Sequence, residues 1–289
     1  MNKVLILAAG GGYDILTVHL LAWQLKKSTT EVHIDIAGML NPKFRHFYFS
    51  EGVVEKEKAV CRIGRKKAVR FKYLQDYYGG NQCPDYNYCK KNLTERDFLD
   101  GRLSVESEFE LYNFSLLFGI DEQIDFLRNY DKVYICDVGG DILYSGKNNS
   151  EIKTPIIDAY TLMLARRFVE TGGCAEMCII SPGSDMELTP EHIGENLMAV
   201  DAKMQPLDVE LVKHLWELYK KIGYGDSGKT LRRLYAASVL MTPPDEIQKY
   251  GVLIGQECLC DIFLAIRLNP LADAESYEEI LEKYRALNN

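Results

Sequence analysis

At three places in the 289-residue sequence, a short apolar run ends in glycines followed by carboxylates. The run KVLILAA at 3–9 leads into Gly10, Gly11, Gly12 and Asp14. The run at 132–137 closes on Asp137, Gly139, Gly140 and Asp141, and the run at 175–180 is followed by Pro182, Gly183, Ser184, Asp185 and Glu187. Glycines at such points let backbone N–H groups approach a ligand, and a helix starting there adds a dipole that favours an anion. Carboxylates alone would repel a phosphate. They fit beside one when they hold a divalent cation such as Mg²⁺, or when they bind sugar hydroxyls and polarise a water. On this pattern Asp137, Asp141, Asp185 and Glu187 are the candidate catalytic residues, with Asp141 or Asp185 as general base. Gly10, Gly11, Gly12, Asp14, Gly139, Gly140, Gly183 and Ser184 are candidates to hold the ligand or its phosphate. Asp14, Asp137 and Asp141 are the candidate metal ligands. The plainer alternative is that Asp14 and Asp158 only stabilise the first turns of helices, where negative charge is favourable.

These residues converge only if the elements around them form a parallel sheet. KVLILAA reads as a strand buried on both faces. Ile15, Val18, Leu21, Ala22 and Leu25 then fall at helical spacing, and EVHIDIAGML at 31–40 supplies the next strand. Strand, glycine turn, helix and strand make a right-handed βαβ unit. Residues 41–110 are aromatic, charged and punctuated by glycine, which predicts a β-hairpin-like insertion followed by an irregular, tyrosine-rich loop. A helix is predicted over 109–130, then the strand KVYICDVGGD. Thr154 as cap and Pro155 at the first helical position open another helix, and Thr189 with Pro190 repeat the signal after the strand AEMCIISPGSD. From about residue 206 the pattern is helical to the end. The expectation is a Rossmann-like α/β core over 1–205, a mostly parallel sheet with helices on both faces, carrying the insertion at about 41–110. A helical part, 206–289, packs on it in one compact domain.

Composition narrows the function classes. With 47% hydrophobic and 26% charged residues the chain reads as globular. A formal charge of −8 argues against a duplex nucleic-acid partner, whose footprint is basic. Arg62, Arg65, Lys66, Lys67, Arg70 and Lys72 form one basic stretch, read as the solvated edge of a hairpin or as a phosphate patch. The N-terminal apolar run is too short for a signal peptide, and no stretch approaches a membrane span of about 20 apolar residues. A cytoplasmic protein with reduced thiols is expected. The eight cysteines, including the pair Cys83 and Cys89, lack the spacing of a zinc module.

Residues 223–230, GYGDSGKT, match the phosphate-loop pattern G-x-x-x-x-G-K-[ST]. A true phosphate loop leaves a strand, whereas Leu211, Leu215, Leu218 and Ile222 form a helical stripe just before this one. The match therefore reads as a corner between helices, from which Lys229 could still reach an anion. The turn Gly10-x-Gly12-x-x-Ile15 lacks the third glycine of a dinucleotide fingerprint, and Asp35 lies inside its strand instead of at the end. NAD is not favoured. SPGSD at 181–185 is no nucleophile elbow, and His192 alone among five histidines has a position of interest, near Asp185. His19 and His214 read as structural.

GGGYD after the first strand, DVGGDILYSG followed by TPIIDAYTLMLA, and SPGSDMEL together resemble the uncharacterised family known as domain of unknown function 1152. Its elements map in order onto Gly10–Asp14, Asp137–Leu143, Thr154–Ala159 and Pro182–Leu188. Tyr13, Met186, Lys147 and Asn148 depart from the pattern, and the stretch around 73–92 has no counterpart in it. The resemblance implies a Rossmann-like α/β fold and carries no established activity. The function expected is that of an enzyme acting on a nucleotide, nucleoside or sugar phosphate by metal-assisted hydrolysis or transfer. A non-catalytic nucleotide-binding or sensing protein is the alternative, and an NAD-dependent oxidoreductase is the third. The partner expected is a small phosphorylated molecule, and self-association is compatible with the sequence.

Overall fold

A computed structural model describes residues 2–10, 14–29, 31–40, 47–49, 59–62, 70–72, 107–116, 119–146, 152, 155–221, 229–240 and 255–287. The first strand, β1 (Asn2–Ala8), pairs in parallel with β2 (Val32–Leu40) on one side and with β7 (Lys132–Val138) on the other. β6 (Glu110–Ser115) extends the sheet beyond β2, and β8 (Ala175–Ile180) extends it beyond β7, both in parallel. The five-strand parallel core thus runs β6-β2-β1-β7-β8. Strand order reverses between β1 and β7, which is where open α/β sheets leave a crevice at their carboxyl ends. Short antiparallel strands finish the sheet. β4 (Val60–Arg62) lies outside β6, while β10 (Gln256–Cys260) and β9 (Lys203–Pro206) lie outside β8. β3 (Phe47–Phe49) and β5 (Arg70–Lys72) form a separate antiparallel ribbon.

Alternation along the strands feeds two cores. Leu5, Leu7, Ile135 and Ile179 face one layer, and Val4, Ile6, Cys136 and Ile180 face the other. The second layer is covered by α1 (Asp14–Thr17), α2 (His19–Ser28), α6 (Val209–Lys221) and α7 (Lys229–Tyr235). The first is covered by α3 (Ile120–Leu127), α4 (Pro155–Glu170), α5 (Pro190–Ala199), α8 (Ile262–Leu268) and α9 (Tyr277–Leu287). The fold is Rossmann-like, with helices on both faces of a mostly parallel sheet. α4 is apolar nearly all round, because α3, α8 and α9 close over the side that the sheet leaves open. Among the described residues, no helix is long and apolar enough to cross a membrane.

Two expectations are corrected. The helix predicted over 109–130 is a strand and a shorter helix, β6 and α3, separated by Gly119 at φ 62°. Phe109 and Leu111 face one core while Phe114 faces the other, so the aromatic residues obey a period of two before the helical pattern begins. The region after 206 is not wholly helical, since β10 returns to the sheet between β8 and β9. Its five residues place the carboxylate of Glu257 in the interior, and a buried acid hides the apolar signature of a strand. The phosphate-loop match lies between α6 and α7, helix before and helix after; residues 222–228 and the Lys229 side chain fall outside the description. Cys83, Cys89, Arg65, Lys66, Lys67 and the 73–92 stretch lie outside it too.

Candidate functional site

The reversal between β1 and β7 brings the first two glycine turns together, and β8 adds the third. Gly10 sits at φ 84°, where a side chain is strained. A Cβ there would stand 2.5 Å from Asp14 Oδ2 and 3.1 Å from Asp158 Oδ1, so two carboxylates close on the bare face of this glycine. Asp14 begins α1 and Asp158 lies in the first turn of α4, fully buried in an otherwise apolar stretch. Gly139 has φ 119°, and a Cβ on it would overlap the carboxyl of Asp185. The two loops are joined directly: Gly183 N donates to Gly139 O at 2.6 Å, and Gly139 N donates to Ile180 O at 3.1 Å.

Asp137, one residue before the end of β7, has no exposed surface. Its Oδ2 accepts from Gly140 N at 2.8 Å and more weakly from Ile142 N at 3.5 Å. Its Oδ1 has no hydrogen-bond partner among the described residues. Burial pushes this carboxyl well above the usual range, and the charge of Asp141 pushes it further, while the backbone N–H groups pull the other way. Asp14 is raised as well, by burial first and then by Asp137, Asp141, Cys136 and Asp185. Each ionised carboxylate disfavours ionisation of its neighbours, which a retained proton or a bound cation would offset. Asp141 opens a single 3₁₀ turn, Asp141–Leu143, that follows Gly140 at φ 103°.

Ser184 is fully buried, and its Oγ has no hydrogen-bond partner among the described residues. Glu187 is half-buried beyond the loop, and its backbone N donates to Asp185 Oδ1 at 3.2 Å. The structure therefore gathers Gly10, Asp14, Asp137, Gly139, Gly140, Asp141, Gly183, Ser184 and Asp185 at one sheet edge. Gly11 and Gly12 lie outside the described residues. His192 Nδ1 meets Thr189 Oγ1 at 3.2 Å, where Thr189 caps α5. His19, held by Ile15 O and Ser107 Oγ, is lowered to about 4 by burial and is structural.

Sequence reasoning missed two contributors. Asp158 reads in the sequence as ordinary decoration of a helical turn; only the approach of α4 to Gly10 makes it part of the wall. Arg233, on α7, donates from Nη1 to Ser184 O at 2.8 Å and to Asp185 O at 3.4 Å, holding the β8 loop from the C-terminal region. Its one local sign is a position four residues after Lys229 on a helix that follows the phosphate-loop match.

Chemically, the edge offers carboxyl groups able to give and to accept protons, glycine backbone open to close approach, and one buried hydroxyl. Among the described residues, no group of three or more His, Cys, Asp or Glu side chains is placed to hold a metal ion. Cys136, next to Asp137 in β7, is pushed up by burial and is no ready nucleophile. No curated protein and no solved structure matches the chain. Residues 117–223 match the family described as Protein of unknown function (DUF1152). That span runs from before β7 to the end of α6 and carries Asp137, Asp141, Asp158, Asp185 and their glycines, while Gly10 and Asp14 precede it, so the chain resembles DUF1152 over most of the clustered carboxylates.

Proposed function

We propose that the strand-end cluster is the active site of an enzyme acting on a nucleotide, nucleoside or sugar phosphate, by hydrolysis or group transfer. The observation that carries this reading is the convergence of Asp14, Asp158, Asp137 and Asp185 on Gly10, Gly139 and Gly140 at the point where strand order reverses. Carboxyls whose pKa is raised by burial and by neighbouring carboxylates are suited to general acid and base work. In this reading a protonated member donates to the leaving oxygen, and ionised Asp141 or Asp185 takes the proton of the attacking water or hydroxyl. The glycine backbone at 10, 139, 140 and 183 admits the ligand, and Ser184 Oγ binds one of its oxygens.

The residues suit a divalent ion that takes oxygen ligands. Mg²⁺ is commonly held by one or two carboxylates together with substrate phosphates, not by a complete protein cage. Asp14 and Asp158, facing each other across Gly10, are such a pair. This pair differs from the expected set Asp14, Asp137 and Asp141, and no group of three such side chains is placed to hold a metal ion among the described residues. A cation bound there would neutralise charge developing on a phosphoryl oxygen.

The test is a thermal-shift screen over nucleotides, nucleosides and sugar phosphates, with and without Mg²⁺, Mn²⁺ and Zn²⁺. A ligand at a hundred times its Kd stabilises the native state by about 2.7 kcal/mol. The hit should require a divalent ion, and Asp137→Asn should lose it while remaining folded. An unchanged shift in that variant overturns the assignment. The second reading, binding or sensing without turnover, is favoured by the absence of a free thiol or histidine nucleophile at the cluster among the described residues. Mass spectrometry of the hit after incubation separates the two, since only the enzyme yields product. A dinucleotide reading ranks third, because Asp35 is engaged by Tyr130 Oη at 2.8 Å and by His33 Nε2 at 3.1 Å; no shift is expected with NAD or NADP.

A further inference from the structure

The turn Asp141–Leu143 is too short to satisfy its own backbone. It closes two bonds, Leu143 N to Gly140 O and Tyr144 N to Asp141 O, both at 3.1 Å. On its N–H side, Gly140 and Ile142 donate to Asp137 Oδ2. On its carbonyl side, two amide side chains arrive from far along the chain. Asn196 Nδ2, on α5, donates to Leu143 O at 2.8 Å, and Asn269 Nδ2, just past α8, donates to Ile142 O at 3.1 Å. Both asparagines are buried, at 6% and 1% exposure, and Asn269 Oδ1 is itself held by Leu271 N at 3.0 Å. Burying an amide costs free energy unless it is hydrogen-bonded, and apolar residues fill a core more cheaply. Two such amides spent on consecutive carbonyls of one three-residue turn point to a demand for rigidity there.

We propose that Asn196 and Asn269 are positioning residues of the active site, bracing the turn so that Asp141 and Asp137 meet a ligand as one fixed pair. The brace joins α5 and the segment after α8 to the end of β7, across the first core layer. It rests on the reading of the cluster as the ligand site, in which a loosely held general base would lose the alignment that catalysis needs. Neither asparagine touches the ligand in this scheme; each acts through the turn.

The test uses the full ¹⁵N-labelled chain and needs no ligand. In Asn269→Ala and in Asn196→Ala, the Gly140 amide should exchange with solvent about tenfold faster, as expected from loss of one hydrogen bond of about 1.4 kcal/mol, and its resonance should move. The Val133 amide, bonded to Cys174 O at the other end of the same strand, should keep its rate. An unmoved Gly140 signal overturns the proposal. So does equal acceleration of Gly140 and Val133, which would make the asparagines general core supports. If Asn269→Ala does not fold, Asn196→Ala carries the same test from a separate element. A confirmed brace with no hit in the ligand screen would sink the functional reading and leave the brace standing.

Discussion

Asp137 and Glu257 are both acids inside the molecule; under the proposed function the first belongs to the site, while the second lies away from it on the sheet. Glu257, on β10, is 1% exposed; its Oε1 accepts from Gln205 Nε2 at 3.1 Å, and burial raises its pKa above the ordinary 4.5. A raised carboxyl binds its proton more tightly folded than unfolded. Its contribution is therefore present below pH 4.5 and is lost as pH rises through the folded value. Glu257→Gln should accordingly flatten the fall in unfolding temperature over that window and stabilise the protein at pH 7 by about 1 kcal/mol, read by thermal melts across pH. Asp137→Asn should also stabilise the ligand-free protein at pH 7, by the same sign, yet remove ligand binding. That opposition of stability and function is the signature of a working site. Asp137 and Asp141 were legible because glycines flank them at a strand end. Asp158 and Arg233 were not, because their roles depend on which helix lies over which loop.

At the scale of elements, the glycines after β1 and β7 are where local rules and the site coincide. Gly139→Ala combines a left-handed backbone with overlap of the Asp185 carboxyl. It should cost about 1–3 kcal/mol, measured by denaturant unfolding, and should displace Asp185. Gly172 also has φ 89°, but a Cβ there meets nothing within 4 Å, so Gly172→Ala should lose stability without affecting ligand binding. The pair thus separates backbone strain from site geometry. The βαβ unit, α4 and β8 could be read from periodicity and caps because each is long or apolar enough to carry a pattern. β6 could not, since its aromatic residues also satisfy a helical spacing when Gly119 is passed over. β10 could not, because five residues with an interior acid carry no clear period.

For the molecule as a whole, the C-terminal region does more than pack on a finished core. Gly255 N donates to Ser181 Oγ at 3.2 Å, Ser181 N donates to Gln256 O at 2.8 Å, and Arg233 holds the carbonyls of the same loop. A chain ending at residue 205 would lose these anchors together with Ile262, Ala265, Ile266, Tyr277 and Ile280 from the first core. It should show no cooperative thermal transition by circular dichroism, whereas a sharp melt would mean that 1–205 folds alone. One of the two outermost strands of the sheet, β9, has a different bearing on the molecule's life in solution. It is short, it bears Lys203 on its exposed rim and it ends in Pro206, which has no N–H to offer. A charge and a missing donor at the last strand keep one sheet from continuing into the next molecule's. Replacing both with valine should turn a sheet that stops into one that propagates, seen as concentration-dependent light scattering at neutral pH.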